Sequence, residues 1–158
     1  MNAYVLLKLL HILSSTLLFG TGLGTAFFMW FTWRSGNLPA IASASRLTVL
    51  ADWCFTTPAI LIQPLTGIAL VRLMGFPWSS PWLQAALTLY LVTGACWLPV
   101  VVMQMRVRDF AVAALAAEQP LPEDCARLMR WWFMLGWPAF LAMMCIFWLM
   151  VVKPPLWG

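Results

Sequence analysis

Charge is what this sequence has least of. Asp, Glu, Lys and Arg make up only 9% of its 158 residues, against about 25% in ordinary soluble domains. Hydrophobic residues make up 63%. A soluble fold of this length could not hide so much apolar surface, because small domains bury only part of what their unfolded chains expose. Histidine occurs once, as His11, which excludes a zinc site built on several imidazoles and a bis-histidine haem within one chain. No Gly-rich phosphate loop follows a strand pattern. The four cysteines, Cys54, Cys96, Cys125 and Cys145, include no CxxC pair, and they read as small apolar side chains in apolar surroundings. Clustered basic residues are also missing. The net charge of +4 comes from single Lys and Arg residues at the ends of apolar runs, the pattern of membrane orientation signals and not of a nucleic-acid surface. The first apolar run is too long for a cleavable signal peptide.

What the chain has in quantity is long uncharged sequence. Leu9–Trp33 runs for 25 residues, Trp53–Val71 for 19, Trp82–Met105 for 24 and Trp131–Val152 for 22. Each meets the roughly 20 residues a helix needs to cross a bilayer, and none shows the alternation of a barrel strand. The eleven Trp residues suit a chain with many membrane–water boundaries. The expected fold is all-α: a polytopic four-helix membrane bundle of up-and-down topology, forming one transmembrane domain over 1–158. The spans are placed at about 4–33, 52–73, 82–105 and 131–152.

The connections differ in kind. Gly75-Phe76-Pro77-Trp78-Ser79-Ser80-Pro81 is a tight turn. Asn37 and Pro39 mark a helix start well before the second span, and Pro122 followed by Glu123 and Asp124 marks another. Val107–Ala117 continues the third helix. Residues 106–130 should therefore form a helical hairpin outside the membrane, broken near Gln119-Pro120-Leu121-Pro122. Arg34, Arg46, Arg106, Arg108, Arg127 and Arg130 flank one side, against Lys8, Arg72 and Lys153 on the other. The positive-inside rule then places the hairpin in the cytoplasm and both termini outside.

Polar groups at membrane depth are the candidate sites: Lys8, His11, Asp52, Gln63, Gln84 and Gln104. His11 shares a helical face with Lys8, Ser15, Leu18 and Gly22. It reads either as an interhelical hydrogen bond or as a metal or haem ligand. Gly20 and Gly24 form GxxxG, with Gly22 between them, which suits close approach of a helix, a flat cofactor or a second copy of the chain. In the second span Asp52, Thr56, Ala59, Gln63, Thr66 and Leu70 share one face beside Pro58 and Pro64. A broken backbone there must find new partners. Asp52 is expected to pair with Arg46 or to be hydrated. At ~1.5 Å per residue, His11, Gln63, Tyr90 and Met143 or Met144 lie at similar depths, roughly 12 to 15 Å from one side.

Lys8-Leu9-Leu10-His11-Ile12, Thr66-Gly67, Trp82-Leu83 and Trp97-Leu98-Pro99 with Gln104 and Arg106 resemble the bacterial integral membrane proteins called domain of unknown function 2269, a resemblance that implies a bacterial inner membrane. More distantly, the Lys-x-x-His-Ile opening is similar to HemJ-type protoporphyrinogen oxidases and CopD-type membrane proteins. The HemJ-type resemblance implies haem b held by His11. It does not carry over the HemJ-type lysine of the third span, whose position in Trp82-Leu83-Gln84-Ala85-Ala86-Leu87 is Ala86. The functional expectation is a haem protein of the membrane for electron transfer or a haem-related oxidation, with Met143 or Met144 opposite His11, and with Gly22 and Tyr90 beside the cofactor. Two alternatives stand beside it: an accessory protein without cofactor that works through lipid-embedded partner helices, and a small copper transporter using the Met residues.

Overall fold

Two asparagines and two glycines punctuate the first half of the chain. In a computed structural model that describes residues 2–157, Asn2 caps a helix α1 over Ala3–Ser35, its side chain accepting from the Tyr4 N–H. Gly36 ends α1 in the left-handed region, where its φ of 66° is open to glycine at little cost. Asn37 immediately caps the next helix by accepting from the Ala40 N–H at 3.1 Å. Helix α2 runs Leu38–Ala51, passes through a π-helical turn at Asp52–Thr56, and continues as α3 over Thr57–Met74. Gly75, at φ 68°, stops it. Helices α4, Pro81–Ala116, and α5, Glu123–Val152, complete the chain.

The helices make four membrane-crossing rods: α1, the continuous α2–α3 unit, α4 and α5, each long and apolar enough to span. No strand occurs among the described residues. The fold is thus the expected all-α bundle, and the outward sides of its helices carry large apolar side chains such as Leu61, Leu65, Leu91 and Val151. That is the arrangement lipid requires, since hydrocarbon is as good a solvent for Leu as a protein core.

The rods pack in pairs, α1 on α3 and α4 on α5, and α2 joins the pairs by touching both α1 and α4. Two buried clusters close the bundle. At the hairpin end, Met29, Val107, Cys125, Met129 and Trp132 pack together, with Ile41, Ala42 and Ala111 beside them. At the opposite end, Val71, Trp82, Leu83, Ala86 and Leu149 pack together, and the Lys153 ammonium lies 4.8 Å from the centre of the Phe76 ring. Between these ends, α1 touches α5 mainly through aromatic rings. Phe19 stacks on Phe140 and Trp30 on Phe133, with centroids 5.3 and 4.1 Å apart. The middle of the bundle is left open.

Cys125 is 0% exposed. It will therefore resist an impermeant maleimide from either side of the membrane, and reagent chemistry at this position cannot read its sidedness. Gln119→Cys, on the exposed hairpin tip, should instead react within minutes from the cytoplasmic side only. Labelling of that variant in intact cells would reverse the orientation drawn from the arginine count.

Candidate functional site: a polar-ended cavity within the bundle

Two polar constellations sit at membrane depth. The first joins α1 to α3. Thr66 Oγ1 donates to the Ile62 carbonyl at 2.8 Å and approaches the Gln63 carbonyl at 3.1 Å, which commits its one hydrogen to the backbone. His11 Nδ1 lies 2.9 Å from the same Thr66 oxygen, and His11 Nε2 lies 3.2 Å from the Gln63 amide, so both ring nitrogens are held by α3. The Ser14 hydroxyl closes the circuit by donating to Gln63 Oε1. Gly67 makes the fit possible: a Cβ there would stand 3.1 Å from His11 Cε1.

This geometry corrects several expectations. The inward partner on α1 is Ser14, whereas Ser15 turns back to the Ile12 carbonyl and Lys8 is exposed. The close approach falls at Gly67. A Cβ added at Gly20, Gly22 or Gly24 would meet nothing within 4 Å, so no helix of this chain presses on the GxxxG face. The residues expected at one depth also separate. Met144 is 46% exposed on the lipid side, while Met143, Tyr90 and Gly22 line the central cavity and His11 does not. Both ring nitrogens of His11 are engaged by side chains of α3, so a metal or haem iron would take one of them only after Thr66 or Gln63 gave way. No group of three or more His, Cys, Asp or Glu side chains that could hold a metal ion occurs among the described residues.

The second constellation lies in that cavity, which has a volume of about 820 Å³, within the usual range of small-molecule sites. Its walls are mostly aromatic and small. Phe19 and Trp30 come from α1, Tyr90 and Trp97 from α4, and Trp132 and Phe140 from α5, with Gly22, Gly94 and Gly136 leaving room between them. Outward-facing Phe27, Phe31 and Leu91 also border it, so it reaches the lipid-facing surface.

The two prolines of α3 shape this space. Pro64 has no N–H, so the carbonyl four residues earlier, Ile60, loses its helical partner. Tyr90 reaches from α4 and donates its hydroxyl to that carbonyl at 2.6 Å. Tyr90 is thus a backbone repair that also fixes the spacing of α3 and α4. Pro58 follows directly on the π turn, in which Thr57 N–H bonds to the Asp52 carbonyl five residues back. The wider turn accommodates a ring that would clash with the preceding turn of a regular helix. It leaves Asp52 and Thr56 both buried, with the Thr56 hydroxyl donating to Asp52 Oδ1 at 2.9 Å.

Asp52 is only 6% exposed, and its Oδ2 has no partner. The pairing expected with Arg46 is not made: Arg46 is exposed, and the two ion pairs found among the described residues are Arg108–Asp109 and Arg127–Asp124. Three more buried polar atoms are unpartnered: Gln104 Oε1, Trp97 Nε1 and Trp132 Nε1. All four residues line the same cavity, toward the hairpin end. Sequence reasoning did not single out Trp97 and Trp132, because Trp near a span end also serves as an interface anchor. The usable signal was Asp52 and Gln104, two strongly polar residues at the same end of neighbouring spans.

The polar and apolar arrangement is that of a protein whose solvent is lipid on all outer faces, and comparison with known proteins agrees. No curated protein and no solved structure gives a significant match. The family model described as "Predicted integral membrane protein (DUF2269)" matches residues 5–154, nearly the whole chain, and the protein belongs to that family of integral membrane proteins.

Proposed function

We propose that this protein is an intramembrane receptor for a lipophilic small molecule, which enters from the bilayer and lodges its polar group at Asp52, Gln104, Trp97 and Trp132. The observation that carries this reading is that one aromatic cavity is lined by four residues, Asp52, Gln104, Trp97 and Trp132, each of which holds a buried polar atom without a hydrogen-bond partner. A buried polar group without a partner costs about 1–3 kcal/mol, and in hydrocarbon no bulk water relieves it. Four such groups around one cavity make sense when small side-chain rotations on ligand entry bring them to the ligand, with or without accompanying water. The hairpin is assigned to the cytoplasm and the termini to the outside, on the arginine distribution. The open Gly20/Gly24 face leaves room for a second copy of the chain, which the mass of the detergent-solubilised protein would reveal.

The test uses N-phenylnaphthylamine, a neutral probe that fluoresces in apolar sites, with the purified protein in a non-aromatic detergent. Saturable binding of about one probe per chain above the micelle background is expected. Gly22→Leu should abolish it. Gly22 lines the cavity and nothing lies within 4 Å of a Cβ built there, so a leucine has the cavity to enter, and Gly→Leu in a helix is favourable by roughly 0.5–1 kcal/mol. Loss of binding with an unchanged or raised melting temperature supports the cavity. Equal binding by both proteins would refute it.

Haem b at His11, implied by the HemJ-type resemblance, would require Thr66 or Gln63 to release a ring nitrogen. A Soret band in protein purified from its native membrane, lost in His11→Ala, would favour that reading over this one. Copper bound at the Met residues would likewise be seen by metal analysis of the same sample.

A further inference from the structure

The cavity's charge is one-sided. Of the residues that line it, Asp52 alone carries a carboxylate or a basic group. Its Oδ1 is held by Thr56, the Gln104 side chain lies beside the carboxylate, its Oδ2 is buried without a hydrogen-bond partner of its own, and Arg46 and Arg106 are both exposed. A buried carboxylate without a counter-ion is among the costliest arrangements in a protein, and more so at the edge of a bilayer. The aromatic walls have a matching character, because the faces of indole, phenol and phenyl rings attract cations. Gln104 Oε1, buried without a partner, is a further acceptor beside it. The indole N–H groups of Trp97 and Trp132, also buried without partners in residues that line the cavity, would after a small rotation suit an oxygen atom carried by the same ligand.

We infer that the ligand class is a lipophilic cation, an oxygen-bearing hydrophobic amine or ammonium compound, with Asp52 as its counter-ion. This inference rests on the cavity being a binding site and narrows what it binds. Its competitors are a neutral lipophile, which would gain nothing from the Asp52 charge, and an anion, which would be repelled by it.

Tetraphenylphosphonium and tetraphenylborate test it directly, because they share size and shape and differ in sign. Equilibrium dialysis of the wild-type protein in neutral detergent, corrected for binding to empty micelles, should show saturable tetraphenylphosphonium binding at least tenfold tighter than tetraphenylborate. Tetraphenylphosphonium should also displace N-phenylnaphthylamine. In Asp52→Asn, which keeps the side-chain shape, affinity for the cation should fall at least tenfold, and Asp52→Glu should recover part of it. Circular dichroism of each variant confirms that it is folded. The wild-type comparison of the two ions needs no variant and decides the matter alone if Asp52→Asn fails to fold. If the neutral probe binds and the two ions do not differ, the cation assignment is overturned and the binding cavity stands. If neither the probe nor either ion binds saturably, both readings fall together.

Discussion

His11→Leu should lower the unfolding free energy in detergent by about 1–3 kcal/mol, taking roughly 0.6 kcal/mol and up to about 1.7 kcal/mol for each interhelical hydrogen bond in a membrane protein. Two such bonds are lost, to Thr66 Oγ1 and Gln63 Nε2, and Gln63 and Ser14 lose the alignment that His11 gives them. The leucine must also fit a space shaped for a flat ring, with Gly67 so close that its missing Cβ would stand 3.1 Å from His11 Cε1. Gly67→Ala should therefore destabilise by a similar mechanism, and combining it with His11→Leu should cost less than the sum, because residues in contact do not act additively. Equilibrium unfolding in mixed micelles of dodecylsulfate and a mild detergent measures all three variants. A His11→Leu protein as stable as the parent would mean that the α1–α3 clamp is not a structural element, and would favour a ligand role for the imidazole.

The second large effect is at Tyr90. Tyr90→Phe removes only a hydroxyl but leaves the Ile60 carbonyl without a partner at membrane depth. A loss of about 1–2 kcal/mol is expected, somewhat above an average membrane hydrogen bond, because the alternative to the bond is an unsatisfied carbonyl in an apolar surround. The decisive control lies on the facing helix. Pro64→Ala restores an N–H to residue 64, which can bond the Ile60 carbonyl within α3. In that background Tyr90→Phe should cost less than about 0.5 kcal/mol, so the double-mutant cycle reports a coupling of about 1 kcal/mol between residues on different helices. A coupling near zero would show that the Tyr90 hydroxyl does not compensate for the proline. The same variants probe the cavity, since Tyr90 and Ile60 both line it: slack between α3 and α4 should weaken N-phenylnaphthylamine binding in Tyr90→Phe and leave it nearer normal in the double variant.

The membrane bundle could be read without coordinates because it depends on local quantities. Whether Leu9–Trp33 or Trp131–Val152 crosses a bilayer depends on run length and absence of charge, and the bilayer imposes helix on any such run by forbidding unpaired backbone. Helix ends were legible for the same reason. Asn37 caps α2 and Glu123 opens α5 through interactions within a few residues of each. The polar residues that carry the site were legible as a short list, since a charge or amide within an apolar run costs too much to be incidental.

How those residues are grouped was a tertiary matter. Sequence periodicity put His11, Ser15 and Gly22 on one face, but a helical face spans several positions, and the neighbouring helix chose Ser14 as partner of Gln63 and left Gly22 to the cavity. Depth counting placed His11, Tyr90, Gln63 and Met143 at similar levels and could not say which of them meet. Rise along each helix is fixed at ~1.5 Å per residue, whereas the rotation of each helix about its axis is set by packing. The fate of Asp52 shows the same division. Arg46, six residues before Asp52, was the natural partner along the chain, yet at 3.6 residues per turn the two side chains leave the helix about 120° apart. Asp52 continues the buried stripe of Ser45, Thr48 and Val49 and lines the aromatic cavity, while Arg46 stays outside. Which stripe of a helix faces inward is set by the helices packed against it, and that choice decided that the carboxylate does not meet Arg46.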